Sequence, residues 1–392
     1  MSSSPITDPI IDHNVYILGA GFSFESGIPL IQGFLNKMAD SLPLLRGHGR
    51  TQEVEAIRKV FDFKLHASSA AYRSNIDLEN IEDLFSLASM SGDPDLMRDI
   101  TRAIAATIDC ARSNTEPPKV TVIVDAQHVD LLKKWTIGTG VAAGFAKLTG
   151  PKYELYAGYL SNLFAVPYSP WARNTVLTFN YDTLLEDALY ELDIPFDYDF
   201  APNTVQYENA RCTPGAHFHT YKLHGSVNWT GEDQTNAKLK IRGTYEDVRT
   251  SNEDVHLIPP TWHKYFGPSL TDIWSKAVRS LQQATRVIIV GFSIPPADTH
   301  FKYLIAAGLK DNISLRSIIF VNPAIAGAGE ERFKQRVNGM LHSRLAEQGL
   351  LSLQPHTMED LLCYEFLRRL INRSLPTSVF HSIDTDNRHL FP

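Results

Sequence analysis

Short apolar runs alternate with longer stretches of helical periodicity along this chain, and the alternation predicts its architecture. Val15-Tyr16-Ile17-Leu18 is an apolar run with β-branched and aromatic members, the length of one buried strand. Similar runs at 175–179, 218–223, 255–258, 286–290 and 317–321 predict further strands. Between them, helices are expected at 30–42, at 51–63 (with Val54, Ile57, Val60 and Phe61 on one face) and around 81–88. Asp93-Pro94 reads as a capping aspartate and first-turn proline for a helix to about 112. Helical character is also expected at 129–148, 153–164, 183–192, 262–284 and 330–348, and after the capping-box-like Thr357-Met358-Glu359-Asp360. Residues 119–125 read as an isolated strand, 42–50 as a loop, and 231–252 as polar, with Thr244-Tyr245-Glu246 suggesting a hairpin or loop.

Strands alternating with helices imply an α/β fold, a Rossmann-like parallel sheet with helices on both faces. The stretch between the first strand and the next core strand is too long for an ordinary connection. Residues 1–41 and 170–330 are therefore expected to form the core domain, 42–169 a helical insert covering or gating it, and 331–392 C-terminal helices packed on the core.

Composition narrows the class. A formal net charge of −7 argues against a strong nonspecific nucleic-acid surface. No apolar run has the length of a membrane span, and the first residues carry no secretory-signal pattern. Three widely spaced cysteines, Cys110, Cys212 and Cys363, fit a reducing compartment and offer no zinc spacing. A cytoplasmic protein is expected.

Candidate chemistry lies at the ends of the predicted strands, where open α/β sheets bind ligands. The first strand runs into Gly19-Ala20-Gly21 and Ser23, a turn whose backbone could approach a diphosphate. Asn180 and Asp182 follow the second core strand. Either could cap the next helix, or, for Asn180, orient ribose hydroxyls or a water through an uncharged amide. His224, before Gly225, has the near-neutral pKa that suits proton transfer, although a turn histidine bonding backbone fits equally. Gly291 and Ser293 repeat the strand-then-glycine pattern, and Asn322 ends the next strand. His217, His219 and His224 form a conceivable but weak metal set, with no clear carboxylate partner.

Taken together, GAGFSFESGIP, TFNYD, KLHGSVNW, VGFSIPPAD and VNP resemble the motifs of the bacterial sirtuin-like family, in particular its NAD-consuming antiphage-defence branch, as in HerA-associated or Thoeris-type effectors. The resemblance implies that Gly19, Ala20, Gly21 and Ser23 cradle the NAD diphosphate and that Asn180 and Asp182 lie at the nicotinamide and its ribose. It further implies that His224 is the catalytic histidine and that Gly291, Ser293 and Asn322 hold the adenosine side. Protein-deacylating sirtuins carry four zinc-binding cysteines in two C-x-x-C pairs, which this chain lacks. Phe179 stands where they have glutamine, and Leu35 where they have arginine. The expectation is thus an NAD glycohydrolase with NAD as substrate and no zinc. Deacylation, ADP-ribosylation and non-catalytic NAD or ADP-ribose sensing are the alternatives. The resemblance also implies homo-oligomers and a separate regulatory partner, a HerA-type ATPase or a short Argonaute.

Overall fold

The computed structural model describes residues 12–125, 136–138, 145–161, 173–231, 238–262, 264, 266–294 and 299–358. The first eleven residues, nearly all of the helix expected after Thr357, and the 295–298 end of the VGFSIPPAD motif lie outside the described residues.

Strands and helices are numbered in chain order. Among the described residues, six strands form the main sheet, ordered β13-β12-β11-β1-β5-β7. They are β1 (His13–Leu18), β5 (Arg173–Thr178), β7 (His219–Lys222), β11 (Arg286–Val290), β12 (Ser317–Val321) and β13 (Leu351–Gln354). Every pairing is parallel, with Val15 beside Thr175 on one side and Val287 on the other. This is the expected α/β architecture. The centre reads as continuous apolar sequence because both faces are covered: Val15, Ile17, Val176, Leu177, Val287 and Phe320 are all fully buried.

After β1 come a one-turn helix α1 (Ala20–Ser23) and then α2 (Phe34–Gly47), α3 (Thr51–Ala71), α4 (Ile81–Met90) and α5 (Pro94–Ser113). The expected cap of α5 is present: Asp93 accepts from the N–H groups of Asp95 and Leu96. Helix α2 runs on through Pro43, where a loop was expected. Burial of Met38 and Leu45 on either side holds it together across the bond the proline cannot make.

Residues 119–125 are not isolated, nor is 129–148 helical where described. β2 (Lys119–Asp125), β3 (Thr136–Gly138) and β4 (Phe145–Pro151) form an antiparallel sheet in the order β2-β4-β3. Seven consecutive residues of β2 pair with β4, a non-local gain that overrides local helical preference. The stretch 42–169 is therefore not helical throughout. Helix α6 (Lys152–Leu160) follows directly.

Helix α7 (Leu184–Glu191) follows β5. A second sheet, ordered β10-β8-β9-β6, comprises β6 (Val205–Glu208), β8 (Gly225–Thr230), β9 (Leu239–Arg242) and β10 (Val255–Leu257). Thr244-Tyr245-Glu246 opens a helix, α8 (Tyr245–Ser251), in place of a hairpin, because Thr244 and Asp247 form a reciprocal capping box. Helix α9 (Pro268–Gln282) begins six residues later than expected, with its proline in the first turn, and α10 (Thr299–Leu309) separates β11 from β12. The helix expected at 330–348 divides at Gly339 into α11 (Glu330–Asn338) and α12 (Arg344–Glu347). The C-terminal part is also not purely helical, since β13 adds a sixth strand by pairing Ile318 with Leu351.

Candidate functional site

Because the main strands are parallel, their carboxyl ends lie along one edge of the sheet. Strand order reverses between β1 and β11, the position where open α/β sheets form a ligand crevice. The ten residues that the resemblance assigns to NAD and catalysis follow the ends of β1, β5, β7, β11 and β12.

The two glycine turns meet across that reversal. Gly19 N–H donates to Val290 O at 2.9 Å and Gly21 N–H to Gly291 O at 2.9 Å. A Cβ on Gly19 would lie 2.7 Å from Gly291 O. One on Gly291, at φ +63°, would lie 2.4 Å from Phe22 N. Glycine is required here so that two strand ends can touch, and the amides of Gly19 and Gly21 are engaged with the neighbouring loop. Ala20 is half-buried and Gly21 is exposed, so this turn still presents backbone to the exterior.

Asn180 ties β5 to the first turn. Its Nδ2 donates to Gly19 O at 3.0 Å and to the fully buried Ser23 Oγ at 3.1 Å, while its own N–H is held by Thr178 Oγ1 at 3.1 Å. With its amide nitrogen fixed in this way, the carboxamide oxygen is oriented to accept from a hydroxyl or a water. Helix α6 braces the turn from above: Tyr153 Oη donates to Phe22 O at 2.9 Å, and Lys152 pairs with Glu25 at 2.5 Å.

Asp182 has a capping role, its Oδ1 accepting from Leu184 N–H at 3.1 Å. Its carbonyl accepts from the buried Lys222 Nζ, which also pairs with Glu186 at 2.9 Å. Burial raises the Glu186 carboxyl above the usual range, against the pull of Lys222.

His224 is buried within an aromatic box. Its ring lies 5.0 Å from that of Phe179, edge to face, and 6.3 Å from those of Tyr181 and Trp274. Trp274 Nε1 donates to Leu223 O at 2.8 Å and Ile258 N–H to His224 O at 2.9 Å, which fixes the backbone on both sides. Lys264 Nζ stands 3.2 Å from His224 Nε2. Burial first, and then the positive fields of Lys264 and His300, push His224 well below the usual histidine value. Both effects favour the neutral ring over the protonated one.

On the β11 side, Phe292 joins the box through Phe179 (5.1 Å) and Phe301 (4.3 Å). Asn322 Nδ2 donates to Phe292 O at 3.2 Å, and its Oδ1 caps the turn Pro323–Ile325 through Ala324 N–H. Ser293 is exposed, its carbonyl held by Arg336 at 2.7 Å. Ile294 adopts φ +52°, a strained value for a β-branched residue.

The arrangement thus joins Asn180 with Gly19 and Ser23, Gly21 with Gly291, and Asn322 with the loop carrying Phe292. His219 pairs with Tyr221 (3.3 Å) and His217 is exposed outside the strand. Among the described residues, no group of three or more His, Cys, Asp or Glu is disposed to hold a metal. Sequence reasoning missed Lys264, which belongs to no motif, and the box around His224. The apolar character of Phe179 was the one signal for the latter.

A parallel α/β sheet with loops converging at a strand-order reversal defines a Rossmann-like protein. Within it, residues 174–347 match the SIR2-like domain family, a span that includes Asn180, His224, Gly291 and Asn322 but not the Gly19 turn. Among solved structures, a Sir2 homologue in complex with NAD is 14% identical, with 84% of this chain and 91% of that one covered and a TM-score of 0.32. A Sir2 protein bound to a propionylated peptide is 14% identical, with 92% of each chain covered and a TM-score of 0.35. A Sir2 enzyme solved for its mechanism and regulation is 13% identical, with 83% and 85% covered and a TM-score of 0.35. No curated protein sequence matches the chain.

Proposed function

We propose that this protein is an NAD glycohydrolase, splitting NAD into nicotinamide and ADP-ribose. The observation that carries the reading is that one edge of the parallel sheet holds both Asn180, whose amide nitrogen is fixed by Gly19 and Ser23, and a buried histidine, His224. In the reaction the bond between ribose C1′ and the nicotinamide nitrogen breaks, its electron pair leaving with nicotinamide. A water oxygen bonds to C1′ and releases a proton. Asn180 would orient the ribose or the attacking water, and His224 would accept the proton or anchor a ribose hydroxyl. The diphosphate would lie against Ala20 and Gly21, and the adenosine side near Gly291, Ser293 and Asn322. Asp182 acts from behind by holding the start of α7.

Without C-x-x-C pairs the chain lacks the zinc module of the deacylating enzymes, which favours water over an acyl-lysine peptide as the acceptor. An ungated enzyme of this kind would exhaust its own cell's NAD. We therefore assign the segment between β1 and β5 as a cover over the core that carries the main sheet, and antiphage defence under a separate partner as the setting. The test is nicotinamide release from NAD by the purified protein, beside Asn180→Ala and His224→Ala. Release that both substitutions abolish supports the reading. NAD binding without turnover, with and without an acylated peptide, overturns it in favour of a sensor, and release only with the peptide favours deacylation.

A further inference from the structure

Arg336 reaches from α11 to the loop after β11, where its Nη1 donates to Ser293 O at 2.7 Å. One carbonyl occupies one of the five N–H donors of a guanidinium. Arg332 lies one turn earlier on the same face of α11 and is exposed. Neither arginine forms an ion pair with a described residue, whereas Lys334 beside them is paired with Glu330. Like charges at this helical spacing repel. Burial, and then the charge of Arg332, hold Arg336 below the usual arginine range, and Glu82 on α4, the smallest of the three influences, opposes them. Holding Ser293 accounts for one arginine and leaves the second without a role in the fold. Two uncompensated guanidinium groups side by side are completed by an anion, and their planar forks match a phosphate. The adjoining strand end points the same way. In dinucleotide-binding folds an acidic side chain holds an unmodified ribose 2′-hydroxyl, while an arginine accommodates a 2′-phosphate. The run after β12, Asn322 to Gly329, carries no acid, and Asn322 has both ends of its amide engaged, with Phe292 O and Ala324 N–H.

We propose that Arg336 and Arg332 form a subsite for a phosphate on the 2′-oxygen of the adenosine ribose, so that the site takes NADP as well as NAD. The proposal rests on the placement of the adenosine side at Ser293 and Asn322 given above, and not on hydrolysis of the dinucleotide.

The test is calorimetric binding of adenosine 2′,5′-bisphosphate against AMP, which differ only in the 2′-phosphate, to the full-length protein and to Arg336→Gln, Arg332→Gln and the double variant. The wild type should bind the bisphosphate about tenfold more tightly than AMP, the worth of a charge-assisted contact to phosphate. Each single variant should lower that ratio, and the double variant should bring it close to one. Arg332→Gln guards against a folding defect, since Arg332 holds no other part of the chain. Equal binding of the two probes by the wild type overturns the proposal, as does a ratio that survives both substitutions or binding of neither probe. Arg336→Gln weakening both probes alike would show that this arginine serves the loop or the 5′-phosphate, and overturns it too. Nicotinamide release from NAD and NADP, measured on the same samples, separates the two readings. The expected ratios without any release would refute the glycohydrolase and leave the subsite standing, and release from NAD without the 2′-phosphate preference would do the reverse.

Discussion

At the scale of single residues, the site depends on how two side chains are held. Asn180 is clamped through its amide nitrogen, and a carboxylate in its place would set negative charge against Gly19 O. Asn180→Asp should therefore lose activity nearly as fully as Asn180→Ala. General acid–base assistance is worth about 10²–10⁴-fold, so His224→Ala should lower nicotinamide release by at least about 10²-fold in a kcat/KM assay. The pH dependence follows from burial. A folded value well below 6.5 keeps His224 neutral as pH falls, so kcat/KM should stay level from pH 8 to below 6.5, where an exposed histidine would already have lost its lone pair. An acid limb centred at 6.5 would contradict the buried, neutral base.

At the scale of elements, the strand ends are joined by backbone contact and by one buried ion pair. Gly291→Ala would place a Cβ 2.4 Å from Phe22 N at a left-handed backbone position. It should cost about 2 kcal/mol or more by urea unfolding and loosen the Gly19–Ser23 turn. Lys222, from β7, bridges the Asp182 carbonyl and the Glu186 carboxylate with almost no solvent contact. Lys222→Met leaves that carboxylate alone in the interior, and a loss of about 3 kcal/mol is expected. Adding Glu186→Leu should recover much of it, since an apolar pair can replace a buried ion pair. A double variant no more stable than the single one would argue against this account.

At the scale of the whole molecule, buried histidines set the acid response. His13, buried at the amino end of β1 with Nε2 3.0 Å from Thr175 Oγ1, is lowered to about 4, chiefly by burial and then by Arg173. His219 and His224 shift the same way. A base whose folded value is depressed binds its proton in the unfolded chain first. Stability is therefore complete above about 6.5 and is lost as pH falls toward 4, by up to about 3 kcal/mol for His13. Carboxylates held low, such as Glu253 at about 2, contribute their own loss only below about 4.5. The melting temperature should accordingly fall between pH 6.5 and 4.5, and His13→Gln should flatten part of that slope. A level melting temperature across this window would show that the histidines do not govern it.

Much of the core was legible in the chain itself. The runs 286–290 and 317–321 coincide with β11 and β12, and the cap at Asp93 with the start of α5, because burial of contiguous apolar residues and capping are local physics. So was the strand-end position of every candidate site residue, since parallel alternation forces the carboxyl ends to one edge. The chain alone did not reveal β3 and β13, whose own patterns are too short to announce a strand, or β4, which lies largely in a stretch read as helical; the partners of all three lie elsewhere in the sequence. Nor did it reveal why Gly19, Gly21 and Gly291 must be glycine: each is required by a backbone some 270 residues away along the chain. The state of His224 is the clearest case. Sequence identified the residue, but its burial, its aromatic walls and the ammonium of Lys264 exist only once four separate segments have been brought together, and those surroundings decide whether the ring carries a proton.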